Sequence, residues 1–449
     1  MKPSRWLILS ESSCGTIAYS SFTGALAKVN AEFFAVIDAL KAGQTVDTTS
    51  HLVSEMRRCG FIVDDDTDEL ALYESAIQSQ KQKRVSLSLV IAPTLACNFR
   101  CPYCFEEHRN ITMTPQVQSA ITDYVRKKLA AGEVQTFSVM WYGGEPLLEP
   151  GIIASLSEEF MKICAAEGVR YSASIITNGY LVDKSAAEML KRCDVSFAQV
   201  TIDGTPEVHN RRRVLAGAEE SGTFGRIVEG VNFLQDAEIQ VTVRMNVDRT
   251  NADGTEECIA ALMGAVRDKS SLLFSPGHVM SCEGEYSGCL TKQEYGAVLL
   301  ECMKNCAAHG LPFSRKFSLP KLRTSYCMAT QSGSFVINPE GLVYKCWNDI
   351  GIKDYSIGDI SGLIGDDLRE EFACSGWGRY SQVNYESCRE CKILPVCAGG
   401  CPRGAVHFGR EPDCEACKYI LDALLEAQCM NVKGGAKNGD SNRTLTVSA

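Results

Sequence analysis

The sequence predicts an α/β protein: a partial, TIM-like (β/α)6 barrel between a small N-terminal winged-helix-like domain and a cysteine-rich C-terminal domain. Three observations carry this reading. Strand-like runs recur between residues 86 and 280 with helix-like stretches in the gaps. The residues before them hold short strands and two capped amphipathic helices. The chain contains 22 cysteines, and after residue 300 they arrive in pairs.

In order, the runs 5–9 and 15–20 read as strands, and Asn30 as the N-cap of a helix ending at Gly43. A second helix ends at Gly60, and residues 60–66 read as a strand entering an acidic loop. An extra layer on the main domain is the alternative to a winged-helix-like unit. Residues 78–84 read as a polar connector. The barrel strands are placed at 86–93, 136–144, 171–179, 197–204, 241–248 and 272–280. Alternation with helices implies parallel neighbours, since parallel strands need crossovers. Ligands of such folds sit at the C-terminal strand ends. Residues 431–449 are polar and Gly/Asn-rich, as expected of a disordered tail. The divisions are thus 1–80, 81–300, 301–430 and 431–449.

At 449 residues and 45% hydrophobic, the chain can bury a large core. A net charge of −10 disfavours nucleic acid and anionic membranes. The N-terminus has only Trp6 to Leu9 as an apolar run, too short for a signal peptide. No stretch approaches the length of a membrane span. A cytoplasmic, reducing compartment is expected, where clustered cysteines bind metal or do redox chemistry.

Cys97, Cys101 and Cys104, spaced C-x3-C-x2-C, follow the first barrel strand. Three thiolates in one loop can hold a [4Fe–4S] cluster and leave one iron without a protein ligand. Zinc wants a fourth ligand, and His108 keeps that alternative open. Gly143, Gly144, Glu145 and Pro146 end the second strand, Asn178 the third, and Thr201 and Asp203 the fourth; Arg244 and Asn246 lie on the fifth.

CNFRCPYC together with this GGEP, TNG and TIDG resembles the radical S-adenosylmethionine (SAM) enzymes over about residues 85 to 285. The resemblance implies a radical SAM barrel. It places GGEP against the SAM amino group, Thr201 at the ribose and Tyr103 near adenine. Asn178, Asp203 and Arg244 complete the implied cofactor set. His209, in the basic run VHNRRR, either helps hold SAM or substrate or lies on a solvated loop.

The later cysteines resemble the SPASM extension. Cys388, Cys391, Cys397 and Cys414 would hold one auxiliary cluster, with Cys417 able to replace Cys414. Cys327, Cys346 and Cys401 would hold three corners of another. No cysteine stands about six residues before Cys327, leaving Cys302, Cys306, Cys282, Cys289 or an open iron for the fourth corner. A zinc-ribbon pair is the alternative for this region. Cys14, Cys59, Cys164, Cys193, Cys258, Cys374 and Cys429 read as small core residues.

The resemblance implies three [4Fe–4S] clusters, SAM and an electron donor such as flavodoxin or ferredoxin. It also implies a precursor peptide with a leader that adds a strand to the N-terminal domain. The activity it implies is a peptide maturase forming an intramolecular thioether, or a C–C cross-link. A formylglycine-forming sulfatase maturase and a peptide epimerase are the alternatives. The former is expected to carry an Asp directly after the cysteine matching Cys346, whereas Asp349 stands three residues on. No catalytic residue is assigned.

Overall fold

The computed structural model describes residues 1–82, 85–218, 222–280, 286–313, 321–365, 372–434 and 444–446. Internal contacts divide the chain into two units. One comprises Met1–Lys81, Arg315–Cys327 and Tyr380–Ala449; the other comprises Gln82–Ser314 and Met328–Arg379.

In the first unit, strands β2 (Leu7–Ser12), β3 (Gly15–Ser20) and β4 (Leu26–Lys28) form an antiparallel meander. β1 (Lys2–Pro3) pairs with β5 (Ile62–Val63). Asn30 caps the helix Ala31–Lys41, its Oδ1 accepting from the Phe33 amide at 3.1 Å. Phe33, Ile37 and Leu40 of that helix pack with Val53 and Met56 of the helix His51–Arg58, and with Ala18 of β3. Side chains alternate across a strand, so Ile17 and Tyr19 face the other way. They pack against Val396, Leu421 and Leu425. The first 80 residues therefore share their core with the cysteine-bearing end of the chain.

The expected connector at 78–84 is corrected. The helix Glu69–Gln82 runs through most of it. Its buried apolar residues are Tyr73 and Ile77, packed with Trp6, Val383 and Leu394, and its last turns are polar, so they look unstructured in sequence. Residues 83–84 lie outside the described residues. In the expected tail, the helix Cys417–Gly434 extends to residue 434, and β15 (Thr444–Thr446) pairs in parallel with β4. The rest of the tail lies outside the described residues.

The second unit carries a parallel sheet: β6 (Ser86–Ile91), β7 (Thr136–Trp141), β8 (Arg170–Thr177), β9 (Val195–Thr201), β10 (Gln240–Val247) and β11 (Leu272–His278), paired in sequence order. Each lies within the run assigned from sequence, or within two residues of it. Two of the crossover helices start at side-chain caps, Thr114 on the Val117 amide and Asp183 on the Ala186 amide. β12 (Ser334–Ile337) adds in parallel to β6, and β13 (Leu342–Tyr344) and β14 (Gly358–Asp359) continue antiparallel. Parallel pairing brings the C-terminal ends of β6 to β11 to one edge, where the residues singled out above collect. No helix among the described residues is long and apolar enough to cross a membrane.

A backbone constraint in the first unit sits beside a cysteine. Gly400 has φ +68°, and a Cβ there would lie 1.7 Å from the Asp413 carbonyl oxygen, which accepts from the Cys401 amide at 3.2 Å. Gly24 has φ +74° with nothing within 4 Å of its Cβ position. Left-handed strain alone costs roughly 1–3 kcal/mol. Gly400→Ala is expected to lower the thermal midpoint well beyond Gly24→Ala. Equal losses in thermal denaturation would show that the approach to Asp413 is not decisive.

Candidate active site and cysteine centres

The Cys97–Cys104 loop leaves β6 and is held by its own backbone. Leu95 N donates to the Ile111 carbonyl at 3.1 Å and Met113 N to the Pro93 carbonyl at 2.8 Å. The turn after β7 then locks onto it: Gly144 N donates to the Thr94 carbonyl at 3.3 Å and Glu145 N to the Ala96 carbonyl at 2.9 Å. A Cβ on Gly144 would lie 2.2 Å from the Ala96 oxygen, and one on Gly143 (φ +106°) 2.5 Å from the Thr94 oxygen. Only glycine permits this approach.

Glu145 is fully buried. Its Oε1 accepts from Leu147 N at 3.0 Å and Thr177 Oγ1 at 2.7 Å, and its Oε2 from Asn178 N at 2.7 Å. Asn178 Nδ2 donates to Asn98 Oδ1 at 2.7 Å, inside the cysteine loop. The motif thus ties β7, β8 and the loop together. Three of about four acceptor positions on Glu145 are taken by the protein, leaving one open. Burial raises its pKa against these hydrogen bonds. Buried Pro146 opens the turn Pro146–Leu148.

On the other side of the loop, the Tyr103 hydroxyl donates to Asp203 Oδ2, and the Asn246 amide donates to Asp203 Oδ1 at 2.9 Å. Asn246 Oδ1 accepts from Arg244 Nε at 2.8 Å. Thr201 is buried at the end of β9, in register with Arg244 of β10. The expected cofactor residues therefore converge on one strand edge, Thr201 through sheet register and Arg244 through register and its bond to Asn246.

Beside His209, the sequence does not single out Arg212, Arg213, Asp248 or Glu106, which also gather here. Arg212 is buried and pairs with Asp248 through Nη1–Oδ1 at 2.9 Å and Nη2–Oδ2 at 2.8 Å. Burial would raise the Asp248 pKa, but hydrogen bonds from Arg212, Thr250 and Tyr286 hold it below the usual range. Arg213 Nη1 lies 3.6 Å from Cys101 Sγ and 3.0 Å from Tyr103 Oη. His209 is fully buried, its Nδ1 accepting from the Asp203 amide at 3.2 Å, which overturns the solvated-loop reading. Glu106 is pushed up to about 7 by burial, against a hydrogen bond with Tyr142. Tyr142 stacks on Trp347 at 5.9 Å. The only sequence signal for the arginines was the basic run itself.

The donor set suits an electron-rich centre. Burial pushes the Cys97 thiol up to about 12, so a thiolate there needs a compensating cation. The buried Arg213 Nε and His209 Nε2 have no hydrogen-bond partner among the described residues. Among the described residues, no three His, Cys, Asp or Glu side chains are arranged to hold a single metal ion.

In the first unit, Cys388 lies within the short helix Glu386–Arg389, Cys391 follows it by two residues, and Cys397 ends Leu394–Cys397. Burial pushes Cys388 up to about 11, reinforced by Cys414 and Cys391; Cys397 rises to about 12 through burial, Glu415, Cys414 and Cys391. Cys417 is raised by burial and then by Cys397. Both Cys414 and Cys417 thus lie beside this set. Lys418 Nζ is 3.5 Å from Cys414 Sγ. Cys327 and Cys401 belong to this unit and Cys346 to the other. Cys302 and Cys306 are buried and Cys289 half-buried; Cys282 lies outside the described residues. Of the cysteines read as core, Cys374 is exposed and Cys429 half-buried; the others are buried.

Residues 91–261 match the profile of the radical SAM superfamily. The chain carries a radical SAM domain, the kind of domain that works with a [4Fe–4S] cluster and SAM. Among curated proteins it is similar to a cysteine-type anaerobic sulfatase-maturating enzyme of Clostridium perfringens, 23% identical over 77% of this chain and 94% of the relative. It is also similar to the radical SAM cyclopropyl synthase TigE of Paramaledivibacter caminithermalis, 20% identical over 91% of this chain and 92% of the relative. Two solved structures share the fold. Native anSMEcpe with bound AdoMet and Cp18Cys peptide has a TM-score of 0.60 at 20% identity, covering 77% of this chain and 99% of that one. Streptococcus suis SuiB has a TM-score of 0.51 at 12% identity, covering 92% of this chain and 98% of that one.

Glu145→Ala would strand the Thr177 hydroxyl and the Leu147 and Asn178 amides. At about 1–3 kcal/mol for each unsatisfied buried group, the variant is expected to lose several kcal/mol in chemical denaturation. A loss below about 1 kcal/mol would show that these donors find other partners.

Proposed function

We propose that the chain is a radical SAM peptide maturase that forms an intramolecular cross-link, a thioether or a C–C bond, in a ribosomally made precursor peptide. The observation that carries this reading is the extent of similarity. TigE and SuiB align with 91% and 92% of this chain, whereas the sulfatase maturase aligns with 77%. SuiB has been solved bound to its precursor peptide SuiA. The β2–β4 meander supports the reading, because β2 ends its sheet and an extended leader can add there as a strand.

In this reading Cys97, Cys101 and Cys104 hold a [4Fe–4S] cluster. Tyr103, Gly143, Gly144, Glu145, Pro146, Asn178, Thr201, Asp203 and Arg244 surround SAM. Cys388, Cys391, Cys397 and Cys414 hold an auxiliary cluster. The bound cofactors supply hydrogen abstraction from an unactivated carbon. The chain's own residues orient and exclude water: the Gly143–Gly144 turn fixes the loop, and Glu145 offers its last acceptor position to an amine. Buried Asp203 holds the Tyr103 hydroxyl in one direction.

Formylglycine formation in a sulfatase is the second reading, favoured by the 94% coverage of the Clostridium relative. It lacks support at one position: the residue after Cys346 is Trp347, stacked on Tyr142, and not an Asp.

Anaerobic coexpression with the cysteine-bearing peptide encoded beside it tests the reading by mass spectrometry. Each cross-link removes two hydrogens from the peptide. Loss of alkylatable thiol with that mass identifies a thioether, and intact thiols identify a C–C bond. Deuterium uptake in heavy water without that mass loss would mean epimerisation and sink the proposal. Cys97→Ala is expected to abolish any product.

A further inference from the structure

Arg212 and Arg213 are adjacent and both buried, yet their charges are handled differently. Arg212 is paired with Asp248 and lies 3.8 Å from Asp203 Oδ2. Arg213 has no carboxylate within ion-pair distance among the described residues. It leaves the helix Pro206–Arg212 with its amide still donating to the His209 carbonyl at 2.8 Å, and turns its side chain toward the cysteine loop. There the guanidinium lies over the Phe99 ring at 5.1 Å, between Tyr103 Oη and Cys101 Sγ. At 5% exposure its charge is little screened by solvent.

We propose that Arg213 sets the reduction potential of the cluster carried by Cys97, Cys101 and Cys104, by holding a fixed positive charge and one N–H against the Cys101 sulfur. This rests on the cluster assignment made above. Reduction adds one electron, delivered by an external donor, and so one negative charge to the centre. Arginine stays protonated in both states, so no proton moves with the electron. A cation and a hydrogen bond on a ligand sulfur stabilise the more negative state and raise the potential. Phe99 and Tyr103 hold the guanidinium in place, so the charge is positioned before the electron arrives.

The test is an anaerobic redox titration of the loaded wild-type enzyme, Arg213→Met and Arg213→Lys, following the EPR signal that added SAM perturbs. Arg213→Met is expected to reduce the ratio of reduced to oxidised cluster about tenfold at a fixed potential, a downward shift of about 59 mV for one electron. Arg213→Lys, which keeps the charge, is expected to recover most of that shift. An unchanged potential in a loaded Arg213→Met, or a lysine variant as low as the methionine one, overturns the proposal. Pulsed EPR on wild-type protein labelled with 15N-arginine reads the contact without any variant. A 15N coupling to the reduced cluster is expected, and its absence overturns the proposal. A wild-type chain that takes up no iron sinks this inference together with the cluster assignment. A loaded chain with an unchanged potential sinks this inference alone.

Discussion

The close approach of two backbones at Gly143 and Gly144 underlies the arrangement of the candidate site. The turn after β7 reaches the Thr94–Ala96 backbone only because neither residue carries a Cβ. That contact brings Glu145 to the centre of the strand edge, where it gathers donors from β8 and its own turn. Asn178 then closes the circuit onto Asn98, between the first two cysteines. A loop with three cysteines and few apolar side chains has little core of its own. Its position is inherited from these bonds.

The second layer of order is electrostatic. Burying charges is costly unless they are paired and hydrogen-bonded. Arg212 and Asp248 satisfy that rule between themselves, and Tyr103 and Asn246 satisfy Asp203. What remains is the Arg213 charge, whose Nε has no partner among the described residues and whose Nη1 reaches a sulfur. That leaves a buried cation beside the cysteine loop, the charge that the proposed cluster would balance.

Much of this was legible in the sequence, because the informative signals were local. Strand–helix alternation placed the barrel strands, since each crossover carries its own periodic helix. The cysteine spacing and the strand-end motifs pointed to residues that the sheet gathers on one edge, since parallel strands bring their C-terminal ends together. What was not legible depended on distant packing. The apolar residues that the Glu69–Gln82 helix buries are Tyr73 and Ile77, and their partners Val383 and Leu394 are about 300 residues away. β12 joins the sheet beside β6 after the whole barrel has been traversed. Arg212 and Arg213 are neighbours of one type in one basic run, and only the fold separates their roles.

The shared core of the first unit bears on how peptide recognition would reach chemistry. β3 is buried on both faces: Ala18 packs on the N-terminal helices, while Ile17 and Tyr19 pack on Val396, Leu421 and Leu425. Val396 directly precedes Cys397, and the helix bearing Leu421 begins at Cys417. The meander proposed to take up a leader is thus the floor on which a cysteine set rests. An added strand on that sheet acts one layer away from those thiols, through packed side chains and not through a flexible linker. Removing the first 80 residues would strip apolar cover from Val396 and Leu425 as well as delete the meander. Loss of activity in such a truncation would report on the cysteine centre as much as on recognition. Substitutions confined to the exposed positions of β2, Leu9 and Glu11, separate the two.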